Sequence, residues 1–363
     1  MFRTVVLVTV LVFLTAYVFN LMLTLDINKR VYNHRPGACR KVEGVQYGAE
    51  DIALLEDEGI AFVTSGVVYL VPRKKEVKGQ IFIYDFNQKG TWKVKPVKIN
   101  GNYDPENFHP HGISHIATDT GARLFVIVHS NEFEHSVMVF DWKRNTSELD
   151  LVRTIKDDKF IRLPNDLAAL SMDAFIITND GYAQTRLGNL LEIISFYPSG
   201  SVVLYDGKAS SHLISKSISP NGVILSKDRT YLILSHVNSE TVTVYKLGKD
   251  HRSISHVSDV PLLTSPDNFC LDKDGAVWIA AHPVAKDALV HLSDFDDPTT
   301  IAPSQVLKLV FSKDFKKWEI TEPFADDGRF ISASSIAAPY GNQLLIGSVC
   351  RQLVHCDVTP ETV

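Results

Sequence analysis

Short apolar runs with a period of two recur through most of the chain. "QIFIYDF", "RLFVIVH", "SVMVFDW", "DAFIITND", "SVVLYDG", "TYLILSH", "TVTVYKL", "AVWIAAH", "QLLIGSV" and "QLVHCDV" are rich in β-branched and aromatic residues and are bounded by Gly, Asn, Asp or Ser. That is the signature of strands and tight turns. The runs come in pairs, the first ending in a polar residue, as in "TYLILSHVNSETVTVYKLG". Pairs start near Gly59, Arg123, Asp173, Thr230, Ala276 and Gln343. Six irregular units of roughly 50 residues predict an all-β chain folded as a six-bladed β-propeller of four-stranded blades. Helical periodicity is confined to the N-terminus and to "NLLEIISFY".

The N-terminal helix has its own character. Thr4 to Leu25 read "TVVLVTVLVFLTAYVFNLMLTL", with Arg3 before and Lys29, Arg30 and Arg35 after. This matches the ~20 residues that cross a bilayer and exceeds the ~7–15-residue core of a signal peptide. No small-x-small cleavage site follows. The run therefore reads as an uncleaved transmembrane signal anchor. Expected divisions are a cytosolic stub over 1–3, the span over 4–25, a stalk over 26–38, the propeller over 39–358 and a tail over 359–363. The flanking charges do not fix the orientation, because large domains translocate largely regardless of them. The sequon "NTS" at Asn145 and the cysteines place the body in the lumen or outside the cell. The expected protein is a type II single-pass membrane protein of the endoplasmic reticulum or plasma membrane.

Composition adds limits. With 363 residues and 45% hydrophobic content the chain can bury a large core, and its formal charge of −5 with no basic stripe argues against nucleic acid as a partner. There are four cysteines. Cys39 opens the soluble region and Cys356 nearly closes it, so a bond between them would tie the first strand to the last. Cys350 competes with Cys356 for that role. Cys270, inside an apolar run, reads as a buried thiol.

Oxygen donors carry the chemistry. Glu50-Asp51 in "GAEDIALL", Asn165-Asp166 in "LPNDLAAL" and Asp267-Asn268 in "SPDNFCLD" sit side by side, and Asn221 stands in "SPNGVIL". Each adjoins an apolar run. Amide oxygens mixed with a few carboxylates suit calcium, which takes six to eight oxygen ligands, and do not suit zinc. No local calcium loop exists, so the donors must converge from separate blades at the propeller axis.

These segments, with "HPHGIS", "TNDGY", "WIAAHP" and "LLIGSV", stand in the order and spacing of the paraoxonases, and the chain resembles that family over nearly all of 39–358. The resemblance implies a catalytic calcium on Glu50, Asn165, Asn221, Asp267 and Asn268. It implies a second, structural calcium on Asp51, Asp166 and the backbone carbonyl of Ile113, and a Cys39–Cys356 disulfide. It also implies hydrolysis of esters or lactones, with His111 of "PHGIS" as general base and a second histidine beside it at the end of the next strand. Ungapped alignment sets Ser130 at that second position and His129 one residue earlier. A one-residue offset in a strand turns a side chain to the other face. His129 completes the pair only if the strand end bulges or its register slips. His109 and His115 are nearby in sequence. Some membrane-anchored members are associated with folding, assembly or surface delivery of membrane proteins, including ion-channel subunits. Ser130 and the anchor together make a non-catalytic assembly factor the expected function, with a calcium-dependent arylesterase or lactonase as the alternative.

Overall fold

The structure is a computed structural model that describes residues 2–67 and 76–359. Six antiparallel sheets follow one another around an axis, each with its first strand innermost. The first blade holds Ile52–Leu55, Ile60–Ser65, Gln80–Asp85 and Lys95–Pro96. The second holds His109–Thr118, Gly121–His129, His135–Lys143 and Glu148–Ile155, with Ile99–Asn100 alongside in parallel. Pro164–Ala169, Phe175–Asn179, Gly200–Tyr205 and Ser210–Ser217 make the third. Pro220–Leu225, Tyr231–His236, Thr241–Leu247 and Ile254–Pro261 make the fourth. The fifth comprises Ser265–Leu271, Val277–His282, Ser304–Phe311 and Trp318–Asp326. The sixth takes Ser334–Tyr340, Gln343–Ser348 and Leu353–Asp357 from the C-terminal end and Cys39–Lys41 from the N-terminal end.

All six expected pair starts fall at or beside the second strand of a blade. Second strands are buried on both faces, so they carry the strongest apolar signal. The inner strands give a weaker one, because each opens with polar residues. In blades two to five the ladder slips at the same place: between Pro110 and Ile113, Pro164 and Leu167, Pro220 and Val223, and Pro266 and Phe269. Each is a β-bulge of two residues placed after a proline, which has no N–H to donate to the ladder. His111-Gly112, Asn165-Asp166, Asn221-Gly222 and Asp267-Asn268 fill those bulges. Glu50-Asp51 takes the matching position before Ile52, with Glu50 N–H donating to the Thr64 carbonyl and Thr64 N–H to the Asp51 carbonyl, each at 3.0 Å.

Hydroxyls then link neighbouring blades. Thr178 Oγ1 accepts from Asp166 N–H at 3.1 Å and donates to the Asn221 carbonyl at 2.6 Å. Ser235 Oγ donates to the Asp267 carbonyl at 2.9 Å, and Ser335 Oγ to the Glu50 carbonyl at 2.7 Å. Gly112 and Gly222 admit the next blade: a Cβ there would lie 2.6 Å from the Asn165 carbonyl oxygen and 2.4 Å from that of Asp267.

The N-terminal helix runs from Phe2 to Thr24 with no buried residue. At 1.5 Å per residue it is about 34 Å long, of which the ~22 Å before Tyr17 stand clear of the propeller and the rest lies against it. Its exit is not a loose stalk. Tyr17 Oη donates to the Ile194 carbonyl at 2.7 Å, and Asp26 Oδ2 accepts from Ala285 N–H at 3.0 Å. Lys286 N–H donates to the Leu25 carbonyl at 3.2 Å, and Lys29 donates to the Leu263 carbonyl and pairs with Glu240. His34 exchanges backbone bonds with Ala325, and Arg35 pairs with Asp326 at 3.3 Å. Asp26 and the helix Ala285–Ser293 thus join the N-terminal helix to the top of the propeller. The "NLLEIISFY" segment is helical as expected, over Arg186–Ser195, capped by Thr185 Oγ1 accepting from Gly188 N–H. Of the expected tail only Thr359 lies within the described residues.

Cys39 and Cys356 are bonded, facing each other in register between the first and last propeller strands, while Cys270 and Cys350 remain buried thiols. The alternative pairing through Cys350 is therefore not the one adopted. The bond closes a separation of 317 residues. Chain-entropy arguments give such a closure at most ~5 kcal/mol. Replacing both cysteines by Ala is expected to lower stability by up to that amount, measured by thermal melting. Non-reducing peptide mapping of the wild-type chain should show the 39–356 link, and Cys350→Ser should leave it unchanged; a 39–350 link in the wild-type chain would contradict the fold closure described here.

Candidate axial cation site and histidine pair

The bulges aim one polar side chain per blade at the axis. Glu50, His111, Asn165, Asn221 and Asp267, from blades one to five, line one cavity of about 200 Å³. Asn268 joins them by donating from Nδ2 to Glu50 Oε1 at 2.9 Å. All six are buried. Four of their oxygens have no hydrogen-bond donor: Glu50 Oε2, Asn165 Oδ1, Asn221 Oδ1 and Asn268 Oδ1. An unsatisfied buried acceptor costs ~1–3 kcal/mol. Four in one place, all hard oxygens, fit a hard cation. Among the described residues no three His, Cys, Asp or Glu side chains form a metal cluster; the donors here are mainly amides.

The next residues in the bulges form a second layer. Asp51 accepts from Ile52 N–H through Oδ1 and from Ile113 N–H through Oδ2, both at 2.7 Å. Asp166 does the same with Leu167 N–H at 2.6 Å and Val223 N–H at 2.7 Å. Asp51, Asp166 and Ile113 are thereby brought together, and it is the N–H of Ile113 that reaches Asp51. Burial, reinforced by Glu50, pushes the Asp51 carboxyl up to about 8. Burial and the facing Asp51 push Asp166 up as well. Two carboxylates buried within electrostatic reach of each other are accommodated by a proton or a cation. A second cavity of about 310 Å³ begins here and runs along the inner strands past His115 and Arg229.

The histidines differ from the sequence expectation. His111 Nδ1 lies 2.9 Å from His129 Nε2, and His111 Nε2 lies 3.3 Å from Glu50 Oε1. His129, not Ser130, stands in the second position. The reason is the bulge, which lies in the His111 strand rather than the His129 strand. His111 and Gly112 together oppose the single residue Ile127, so His111 is rotated onto the face that His129 occupies. Ser130 points into the turn that follows, where its Oγ accepts from Glu132 N–H and Glu134 N–H, both at 3.1 Å. His129 Nδ1 continues to His135 Nδ1 at 2.7 Å. Burial lowers the His111 pKa, but the Glu50 charge outweighs it and the net direction is up. Burial, then the neighbouring rings, hold His129 well below the usual imidazole range. His109 is held apart, against the Gly66 carbonyl at 3.0 Å, and His115 faces the second cavity, so neither meets His111.

The Arylesterase family profile matches residues 17–358. The chain belongs to the arylesterase family. It is 29% identical over 356 residues to Mechanosensory abnormality protein 6 of Caenorhabditis elegans, covering 94% of this chain and 92% of that one. It is 29% identical over 326 residues to Serum paraoxonase/arylesterase 2 of Gallus gallus, covering 88% of each. Solved structures of the same fold include a gluconolactonase from Xanthomonas campestris, with TM-score 0.52, 15% identity, and 92% and 99% of the two chains covered. Another is regucalcin, a calcium-binding protein from Agrobacterium tumefaciens, with TM-score 0.53, 12% identity, and 90% and 96% covered. These two likenesses show the fold.

Three functional candidates escaped the sequence reading. Asp180, in the "TNDGY" segment, lines the smaller cavity with Oδ1 unpartnered; burial pushes its carboxyl up to about 7 against the pull of His111. His282 lies 3.0 Å from Asp267 Oδ2. His135 extends the histidine pair. For His282 and Asp180 the usable signal was the polar residue at or just after the end of a second strand; His135 instead opens a third strand, opposite His129. Apolar walls complete the cavity: Leu21 and Leu25 at the end of the N-terminal helix, Ile193 in the short helix and Phe196 at its C-cap, and Ala288 and Leu289.

The raised pKa of Asp51 has a definite sign. Its folded value, about 8, exceeds the ordinary 3.8, so without a cation the folded chain holds a proton that the unfolded chain releases between those values. Stability of chelator-treated protein should therefore fall as pH rises from about 4 to 8. Calcium, which takes the ionised carboxylates, should restore more at pH 8 than at pH 5. Thermal melting across that range checks this; a melting temperature flat in pH and indifferent to calcium would contradict it.

Proposed function

We propose that this chain is a membrane-anchored assembly factor for membrane proteins, such as ion-channel subunits, whose propeller is held rigid by calcium on its axis. One observation carries the reading. The anchor is joined to the propeller by Tyr17, Leu25, Asp26 and Lys29 and by the pairing of His34 with Ala325. A tether that only localised an enzyme would serve as well if it were flexible. A docked one fixes the attitude of the body to the bilayer, which presentation of a binding face to a membrane-embedded client requires. The similarity to Mechanosensory abnormality protein 6 over 94% of the chain supports it. The proposed calcium ions are two: one on Glu50, Asn165, Asn221, Asp267 and Asn268, and one at Asp51, Asp166 and Ile113. The proposed topology is a short cytosolic N-terminus with the propeller lumenal or extracellular.

The intact His111–His129 contact favours a second reading, a calcium-dependent esterase or lactonase. A cavity of about 200 Å³ has room for a small ester or lactone, since a ~150 Å³ apolar cavity holds benzene. Bound calcium would polarise the substrate carbonyl and stabilise the oxyanion. His111 Nε2 faces into the cavity and would take a proton from water, with His129 holding the ring.

His129→Gln separates the two. In the assembly role client surface delivery is unchanged by it, while Asn165→Ala, which removes an axial donor, abolishes delivery. In the hydrolase role purified full-length protein turns over phenyl acetate or an aliphatic lactone, and His129→Gln slows it by ~10²–10⁴-fold. Ser130→Ala should leave any turnover unchanged, because its hydroxyl caps a turn. Turnover and delivery lost together in His129→Gln would overturn the assembly reading.

Topology is tested at Asn145, which lies exposed in the turn between Lys143 and Glu148. Glycosidase treatment should shift the gel mobility of protein made in microsomes. An unshifted band, with the propeller digested by protease in sealed microsomes, would reverse the orientation.

A further inference from the structure

The polar chain at the axis does not stop at two histidines. His111 Nδ1 meets His129 Nε2 at 2.9 Å, and His129 Nδ1 meets His135 Nδ1 at 2.7 Å. His135 opens the third strand of the same blade, directly opposite His129 in the ladder. Phe133 packs its ring edge against His135, with centroids 5.0 Å apart. We propose that His135 is a positioning residue: it fixes which nitrogen of His129, and through it of His111, carries the proton. The proposal concerns the hydrolytic centre and so rests on the second reading.

The argument is one of hydrogen count. A neutral imidazole has one N–H and one lone pair, and each contact between two rings needs one of each. Three neutral rings in series therefore have two self-consistent arrangements. In one, His135 Nδ1–H donates to His129 Nδ1, His129 Nε2–H donates to His111 Nδ1, and His111 Nε2–H points at Glu50. In the other every donor reverses. His111 Nδ1–H donates to His129 Nε2, His129 Nδ1–H donates to His135 Nδ1, and His135 carries its own proton on Nε2. His111 Nε2 then turns its lone pair toward the cavity and Glu50 Oε1, where a cation on that carboxylate would offset the repulsion. No ring changes charge between them. A general base at His111 Nε2 needs the second arrangement, and that arrangement needs an acceptor at His135 Nδ1. Without His135 the His129 Nδ1–H would be left buried without its acceptor. The nearer donor-acceptor choices of His129 would then relax to a mixture. The orienting partner of a catalytic histidine acts in the same way when it holds one tautomer.

Selective ¹⁵N-histidine NMR on the full-length chain in detergent reads the tautomers without any turnover. In wild-type protein with calcium, His129 and His111 should each show one tautomer, protonated on Nδ1. His135→Phe should shift the His129 ring nitrogens toward a mixture and move those of His111 in the same sense. His135→Asn, whose side-chain oxygen replaces Nδ1 as acceptor, should restore the single tautomer. If His135→Phe fails to fold, the wild-type and His135→Asn spectra decide alone: a rapidly averaging His129 in wild type overturns the proposal. So do unchanged His129 and His111 nitrogens in a folded His135→Phe. If the wild type hydrolyses phenyl acetate, His135→Phe should lower kcat by ~10–100-fold with KM unchanged and His135→Asn should recover it. If it does not, the hydrolase reading fails, and the ring nitrogens still support or overturn the role of His135.

Discussion

The bulge at the start of the inner strand in blades two to five is the constraint on which the rest depends. A regular strand would send alternate side chains to the two faces of a blade. After a proline, two residues set against one break that alternation and turn a polar side chain toward the axis. Repeated in successive blades, the device gathers amide and carboxylate oxygens from positions as far apart as Glu50 and Asn268. The same bulge rotates His111 onto His129. Gly112 and Gly222 are needed because the neighbouring blade comes within van der Waals range of where their side chains would be.

Such a centre cannot be satisfied by protein alone. Six side chains converge, four oxygens lack donors, and Asp51 and Asp166 face each other out of water. Hydrophobic burial in the blades supplies the stability that tolerates this, and the disulfide stops the blade that joins the two chain ends from peeling apart. A cation on the axis would offset that cost and add to the hydroxyl links between neighbouring blades. Catalytic and purely structural uses of the centre therefore ask for the same ligands. Only the histidines and the space above them distinguish the two.

Much of this was readable in the chain. The six units, the apolar N-terminal helix, the short helix and the converging polar residues follow from local pattern, because second strands buried on both faces and polar residues after prolines are strong signals. The histidine pair was misjudged because a bulge leaves no period-two trace of its own, and the offset was assigned to the wrong strand. The docking of the anchor was not legible either. It depends on single contacts between residues hundreds of positions apart, such as Asp26 with Ala285. Asp180 and His282 were visible as polar strand ends, but nothing local showed that those ends share one rim.

The central claim is that the axis is completed by calcium. Native mass spectrometry of the full-length protein, released from detergent after dialysis, counts the ions directly. The account predicts two calcium ions per wild-type chain, with one lost in Asn221→Ala, which removes a donor from the first layer only. A wild-type chain that folds and carries no calcium would contradict it.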